Sequence, residues 1–248
     1  MSTWKKYCTD SFLLKEAVVY LWRAKLICAD NQIKSHEKNL SLVELDRANR
    51  FVKTTDRIKY ILAKSIQRDI MSRYLNIKPA DIKFELGEHG KPYISGNLLQ
   101  FNLSHAGDWL LMGVTQSAHI GVDIECEKPS ADITGIVKRF FSEPESQAIE
   151  LLSESERTKA FYRAWTRKES FIKADGRGLS FPLSDFSVDV SEAPVDQNTL
   201  LEIRGSISEA QDWNVRSVDD LPEKYYAAFA MDKAPKKVFY WEVVFEIR

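Results

Sequence analysis

The chain has 248 residues, 44% of them apolar and 29% charged, a globular composition far from that of disordered or fibrous chains. Thirty-five basic and 36 acidic residues give a net charge of −1, which argues against a whole-surface electrostatic binder of nucleic acid or membrane and leaves room for a local patch. Cys8, Cys28 and Cys126 are odd in number, far apart and without CxxC spacing, so neither a disulfide framework nor a cysteine zinc site is expected.

In chain order, the first ten residues include Lys5, Lys6 and Asp10 and lack a signal-peptide core. The apolar run at 17–22 is far too short to span a membrane, and the chain reads as soluble and cytoplasmic. Residues 17–27 are rich in β-branched and aromatic side chains and predict a strand. Ser41 and Glu44 fit a capping box that starts a short helix towards Phe51. Thr54 or Thr55 is expected to cap a longer helix, in which Ile58, Ile61, Leu62, Ile66, Ile70 and Tyr74 form one apolar face. Residues 76–79 end it. Residues 82–86 and 99–103 read as short strands, and 109–115 with 119–125 resembles a hairpin around 116–118. Ser142 with Glu145 and Ser153 with Glu156 fit two more capping boxes. The second of these starts a helix expected to reach Ala174, before Asp175 and Gly176. Segments 186–190, 213–218, 225–231 and 238–247 alternate like antiparallel strands. No linker or repeat is visible. A division is expected near residue 120, between two mixed α/β halves, 1–120 and 121–248.

Five constellations could carry chemistry. In GVDIE at 121–125, strand alternation puts Asp123 and Glu125 on one face and Val122 and Ile124 on the other. Carboxylates roughly 6–7 Å apart along a strand repel unless a cation or basic group lies between them, and hard oxygen ligands suit Mg²⁺. The alternative is a solvated strand edge. In WTRKESFIK at 165–173, Glu169 and Lys173 are an i, i+4 pair with Lys168 beside them, and Trp165, Phe161 and Ile172 supply packing. Exposed, such a pair contributes only ~0.3–0.5 kcal/mol.

In FNLSH at 101–105, Ser104 and His105 can donate to a phosphate, although a lone His is more often structural. In GKPY at 90–93, Gly90 and Pro92 mark a turn that presents Lys91. Finally, Arg47, Arg50, Lys53, Arg57, Lys59, Lys64, Arg68 and Arg73 face only Asp56 and Asp69 between 47 and 73. Most of that stretch reads as a solvated helix face, with a subset free to meet a phosphate or an acidic protein.

Taken together and in this order, the motifs resemble the 4′-phosphopantetheinyl transferases of the larger, surfactin-synthetase-activating type. GKP, FNLSH, GVDIE and WTRKESFIK carry the resemblance, followed by GRGL at 176–179 and FPL at 181–183, with Glu125 and Glu169 44 residues apart. It covers roughly residues 40–190.

The resemblance implies an α+β fold of two similar α/β subdomains related by a pseudo-twofold axis, with the active site in the cleft between them. Residues 1–120 would carry the coenzyme A phosphate and adenine contacts, and 121–248 the magnesium and catalytic residues. The implied reaction moves the phosphopantetheine arm of coenzyme A to a serine of an apo acyl or peptidyl carrier protein and releases 3′,5′-ADP.

By the same resemblance, Asp123, Glu125 and Glu169 hold Mg²⁺, with Mn²⁺ as an alternative. Glu169 takes the serine proton, directly or through a metal-bound water. Lys173 neutralises the departing 3′,5′-ADP. Arg47, Lys59, Gly90, Lys91, Asn102, Ser104, His105, Lys168 and Lys173 contact the coenzyme, and Trp165 packs behind the site. Glu44 stands where some relatives have a lysine, which puts one 3′-phosphate contact in doubt. The implied enzyme is a monomer without nucleic-acid or membrane partners, and the pathway of its carrier is open. A coenzyme-A-sensing module without turnover and a Mg²⁺-dependent phosphohydrolase are the rival readings.

Overall fold

A computed structural model describes residues 3–6, 13–96, 99–129 and 132–244. Cys8, Asp10 and the 245–247 end of the last expected strand lie outside them. In chain order the elements are β1 (Lys5–Lys6), β2 (Val18–Lys25), α1 (Ile33–Glu37), α2 (Leu42–Asn49), α3 (Thr54–Leu75), β3 (Glu85–Leu86), β4 (Pro92–Tyr93), β5 (Leu99–Ala106), β6 (Trp109–Gln116) and β7 (Ile120–Cys126). Then follow α4 (Ile133–Phe140), α5 (Glu143–Glu150), α6 (Glu154–Asp175), β8 (Phe186–Val188), β9 (Leu200–Ile203), α7 (Ile207–Gln211), β10 (Asn214–Ser217), β11 (Tyr225–Met231) and β12 (Lys237–Val243).

Two sheets stack between two long helices. The larger has the order β1-β12-β2-β6-β5 and the smaller β10-β11-β7. Side-chain alternation builds the layers. On β2, Val18, Tyr20, Trp22 and Ala24 pack under α3 against Ile61, Leu62, Ile66 and Ile70. Val19 and Leu21 point the other way, into a core shared with Val122, Ile124 and Phe229 of the smaller sheet. Beyond that sheet, Phe161, Phe171 and Ile172 of α6 close a third core over Val215 and Ala230. The architecture is mixed α+β, and no described helix is long and apolar enough to cross a membrane.

Several local expectations hold. Ser41 and Glu44 form the capping box of α2, and Ser142 and Glu145 that of α5. Asn76 ends α3 in the left-handed conformation (φ 54°) and Gly176 ends α6 likewise (φ 90°). Others are corrected. Lys53, not a threonine, is the N-cap of α3. Ser153 caps α6 by position only, because its hydroxyl meets Ser155 and Glu156 pairs with Lys159.

β6 and β7 are not a hairpin. The chain turns tightly at Ser117 (φ 64°) and changes sheet, so β6 pairs with β2 and β5 while β7 pairs with β11. Gly113 permits the close crossing, since a Cβ there would lie 2.6 Å from Ile120 Cδ1 and 2.8 Å from Val122 Cγ1. The last strand is not antiparallel: β12 runs parallel to β2 in the larger sheet. Residues 237–243 therefore lie in the larger sheet, beside β2.

Candidate functional site

The site forms where the free edge of β7 and one face of α6 meet the end of β5. Gly121, Asp123 and Glu125 share the face of β7 turned to α6, because Val122 and Ile124 are committed to the inter-sheet core. Gly121 lets strand and helix touch backbone to backbone. A Cβ there would stand 2.1 Å from Ser170 O and 2.3 Å from Ala174 N, distances no side chain tolerates. One residue further on, Asn102 Oδ1 accepts the Val122 N–H at 2.9 Å, joining β5 to β7 where no ladder bond runs.

Asp123 is buried at this junction. Lys173 Nζ stands 2.5 Å from its Oδ1, and Ser104 Oγ donates to the same oxygen at 2.9 Å. Lys173 also donates to Ser104 Oγ at 3.2 Å. The other oxygen, Oδ2, is buried without a hydrogen-bonding partner.

The charges around this pair are strained in a consistent direction. Burial, and then repulsion from Asp123 and Glu125, raises the Glu169 pKa to about 7 against the pull of Lys173. Burial and Asp123 also raise Glu125, opposed by Lys128, Lys173 and a hydrogen bond from Trp165. Burial raises Asp123 in spite of Lys173. Like charges gathered in a low-dielectric site disfavour ionisation until a cation joins them.

Among the described residues, no three His, Cys, Asp or Glu side chains stand as a group that could hold a metal ion. Asp123 raises the pKa of both Glu125 and Glu169, so the three carboxylates do share one region. The orphaned Oδ2 of Asp123 and the mutual repulsion of the three acids fit a hard divalent cation.

Beside the acids, α2, α3 and the end of β5 enclose a cavity of about 460 Å³ lined by Arg47, Phe51, Lys59, Tyr60, Lys64 and His105. Arg47 lies over the Tyr60 ring, 5.6 Å from its centre. Lys59 Nζ is held by Gly107 O at 2.9 Å and Asp108 Oδ1 at 2.8 Å. The protein around the His105 ring, then the charges of Lys173, Lys59 and Lys64, push its pKa down. With Arg47, Lys59 and Lys64 against one acid, Asp56, the cavity suits a polyanion.

Most of the remaining basic stretch is neutralised by acids distant in sequence or a turn away. Arg57 pairs with Glu37, Arg50 with Asp46, Arg73 with Asp69, and buried Arg68 with Glu44. Glu44 thus both caps α2 and holds Arg68.

Three of the side chains expected to contact the coenzyme are engaged within the protein. Lys168 is fully buried on the far side of α6, paired with Glu145 at 2.8 Å and donating to Leu183 O and Phe186 O. A step of one residue turns a helix by about 100°, so Lys168 faces the core while Glu169 faces the seam. The Asn102 side-chain oxygen is spent on β7. The Lys91 ammonium is turned onto the carbonyls of Ile120 and Ala174. Gly90 forms the expected turn (φ 80°). Ser104, His105, Arg47, Lys59 and Lys173 do border the acids or the cavity.

Trp165, expected to pack behind the site, and Lys64, noted only within the basic stretch, gain definite places in the fold. Trp165 stacks on Phe141 and Phe161, and Lys64 lines the cavity. The four- and three-residue steps from Tyr60 to Lys64 to Gln67, one face of α3, were the available signal for Lys64.

Mutually repelling acids beside a basic cavity suit an enzyme that acts on a phosphorylated substrate. Residues 119–230 match the 4′-phosphopantetheinyl transferase superfamily, and residues 26–117 match the N-terminal region of 4′-phosphopantetheinyl transferase. The 4′-phosphopantetheinyl transferase HetI of Nostoc sp. is 34% identical over 182 residues, 72% of this chain and 76% of HetI. The 4′-phosphopantetheinyl transferase Sfp of Bacillus subtilis is 39% identical over 144 residues, 58% of this chain and 63% of Sfp. The L-aminoadipate-semialdehyde dehydrogenase-phosphopantetheinyl transferase of Mus musculus is 28% identical over 228 residues, 85% of this chain and 71% of the mouse protein. The chain belongs to the 4′-phosphopantetheinyl transferase family, and it is a transferase.

Proposed function

We propose that the enzyme transfers the 4′-phosphopantetheine arm of coenzyme A to a serine of an apo acyl or peptidyl carrier protein and releases 3′,5′-ADP. The observation that carries the mechanism is Lys173 Nζ, 2.5 Å from buried Asp123 and on the same face of α6 as Glu169, whose pKa is raised to about 7.

Asp123, Glu125 and Glu169 would hold Mg²⁺, or Mn²⁺ in its place, which when bound neutralises pyrophosphate charge. The cavity lined by Arg47, Lys59, Lys64 and His105 binds the nucleotide phosphates. The carrier serine Oγ attacks the β-phosphorus. The new O–P bond forms as the bond to the 5′-phosphate oxygen of 3′,5′-ADP breaks. Glu169 accepts the serine proton, and holding a cation would make it a weaker base than its cation-free pKa of about 7 indicates. Lys173 donates hydrogen bonds to the leaving phosphate and offsets its charge. Positioning and electrostatics suffice, because phosphoryl transfer asks little covalent chemistry of a protein.

On this reading the seam between the halves is the catalytic cleft. Support for a pseudo-twofold relation comes from α3 and α6, each of 22 residues and each on the outer face of its sheet. The first 120 residues chiefly bind nucleotide, and those after 121, apart from β12, supply acids and lysine. The enzyme acts as a cytoplasmic monomer, without nucleic acid or membrane.

The test is to incubate the protein with coenzyme A, Mg²⁺ and a panel of apo carriers and weigh the carriers. Gain of one phosphopantetheine arm is expected. Release of 3′,5′-ADP without an acceptor would point to a hydrolase, and coenzyme A binding without turnover to a sensing module.

A further inference from the structure

The β3–β4 hairpin belongs to neither large sheet. Its turn is closed by Gly87 N–H donating to Lys91 O at 2.9 Å and Gly90 N–H to Gly87 O at 2.9 Å. From there Lys91 reaches across the seam. Its Nζ donates to Ile120 O at 2.9 Å and to Ala174 O at 3.2 Å.

Those carbonyls belong to the first residue of β7 and the last turn of α6. Ala174 O is one of the four final carbonyls that a helix cannot satisfy internally, and an ammonium there meets the negative end of the helix dipole. Gly121, next to Ile120, is the residue whose missing Cβ lets β7 lie on the backbone of Ser170, Lys173 and Ala174. Strand and helix therefore touch at one crossing, and one ammonium holds both. Asp123 lies three residues beyond Ile120, and Lys173 one residue before Ala174. Burial lowers the Lys91 pKa to about 8 while Asp175 and Asp232 oppose the fall, so the ammonium is the main form at neutral pH.

We infer that Lys91 is a positioning residue whose side chain straps β7 to the C-terminal turn of α6 and so sets Asp123 against Lys173 and Glu169. It acts through that crossing and not by touching the coenzyme. The inference rests on the reaction proposed above for its kinetic consequence, but the strap itself can be read without turnover.

The test compares Lys91→Met and Lys91→Arg with the unaltered enzyme by steady-state carrier modification and by amide hydrogen exchange. Lys91→Met is expected to lower kcat roughly 10- to 100-fold, the scale of a misplaced catalytic group. KM for coenzyme A should stay within about twofold, since no ground-state contact is lost. Exchange should accelerate at residues 121–124 and 173–176 and not along α3. Lys91→Arg should recover part of the kcat and of the protection.

A rise of about tenfold or more in KM with kcat retained would mean direct nucleotide contact and would overturn the proposal. So would unchanged kcat with unchanged exchange. If Lys91→Met does not fold, Lys91→Arg decides: partial kcat with an unchanged KM supports the strap, and a raised KM at full kcat refutes it. If the unaltered enzyme modifies no carrier, the proposed reaction fails while exchange in the two variants still judges the strap.

Discussion

Lys173 Nζ stands 2.5 Å from Asp123 Oδ1, and the second oxygen of that carboxylate is buried with no hydrogen-bonding partner. One buried charge is thus half answered by the protein and half left for something else. Lys173→Ala should keep the far-UV circular dichroism of the folded chain and lower its Tm, because Asp123 loses its counter-charge. Carrier modification should slow by about 100-fold or more, as expected for loss of a charge aimed at a leaving group. A rate within a few-fold of the unaltered enzyme, by mass spectrometry of the carrier, would remove Lys173 from the mechanism.

Glu169 gives the pH dependence. Its folded pKa, about 7, lies above the ordinary carboxylate range, so between that range and pH 7 the folded protein holds a proton the unfolded chain has released. The stability this group contributes is complete in acid and is lost as pH rises through about 7. Without divalent cation, Tm should therefore fall between pH 6 and pH 8, and Glu169→Gln should flatten that fall while abolishing transfer. Added Mg²⁺ should raise Tm more at pH 8 than at pH 6, measured by calorimetry, since the acids must be ionised to ligate.

Gly121→Ala tests the contact between β7 and α6. A methyl group 2.1 Å from Ser170 O and 2.8 Å from Lys173 C forces strand and helix apart. The expected cost is about 3 kcal/mol, at the upper end for overpacking, seen as a lower urea midpoint. Activity should fall further than stability predicts, because Asp123 and Lys173 sit on the two elements being separated.

Lys168 separates a structural role from phosphate binding. Removing one partner of its buried pair with Glu145 should cost about 3–5 kcal/mol. Replacing both, as Lys168→Met with Glu145→Leu, should recover much of it. In the double variant KM for coenzyme A should stay within about twofold; a large rise would return Lys168 to the binding site.

Arg47 lines the basic cavity from α2. Arg47→Ala should raise KM for coenzyme A about tenfold with kcat little changed, the signature of lost uniform binding. The effect should shrink as ionic strength rises, because this cavity is open to solvent. Initial rates at varied coenzyme A and salt measure both.

How far the sequence reached can be judged residue by residue. The capping boxes at Ser41 and Ser142, the long helices of α3 and α6, and the division of β7 into an apolar and an acidic face were all legible. Each depends on neighbours within one or two turns. The pairing of Glu169 with Lys173 on one helix face followed from the same spacing, and the family resemblance attached chemistry to it. The third capping box was misjudged because Glu156 had a nearer partner in Lys159, a competition that the spacing alone does not rank.

What the sequence by itself determined was the set of local periodicities, the acids on one face of β7 and the motif order that places the chain in its family. Only the tertiary structure decided that β7 leaves β6 for the smaller sheet, that β12 returns to the larger one, that Lys168 faces the core, and that Lys91 grips the seam. The reason is physical. Helix phase and strand alternation are set by backbone geometry within a few residues. The choice of partner strand, and of which helix face meets it, comes from burying apolar surface and pairing polar groups far apart in the chain, as Lys91 does with Ala174, 83 residues away.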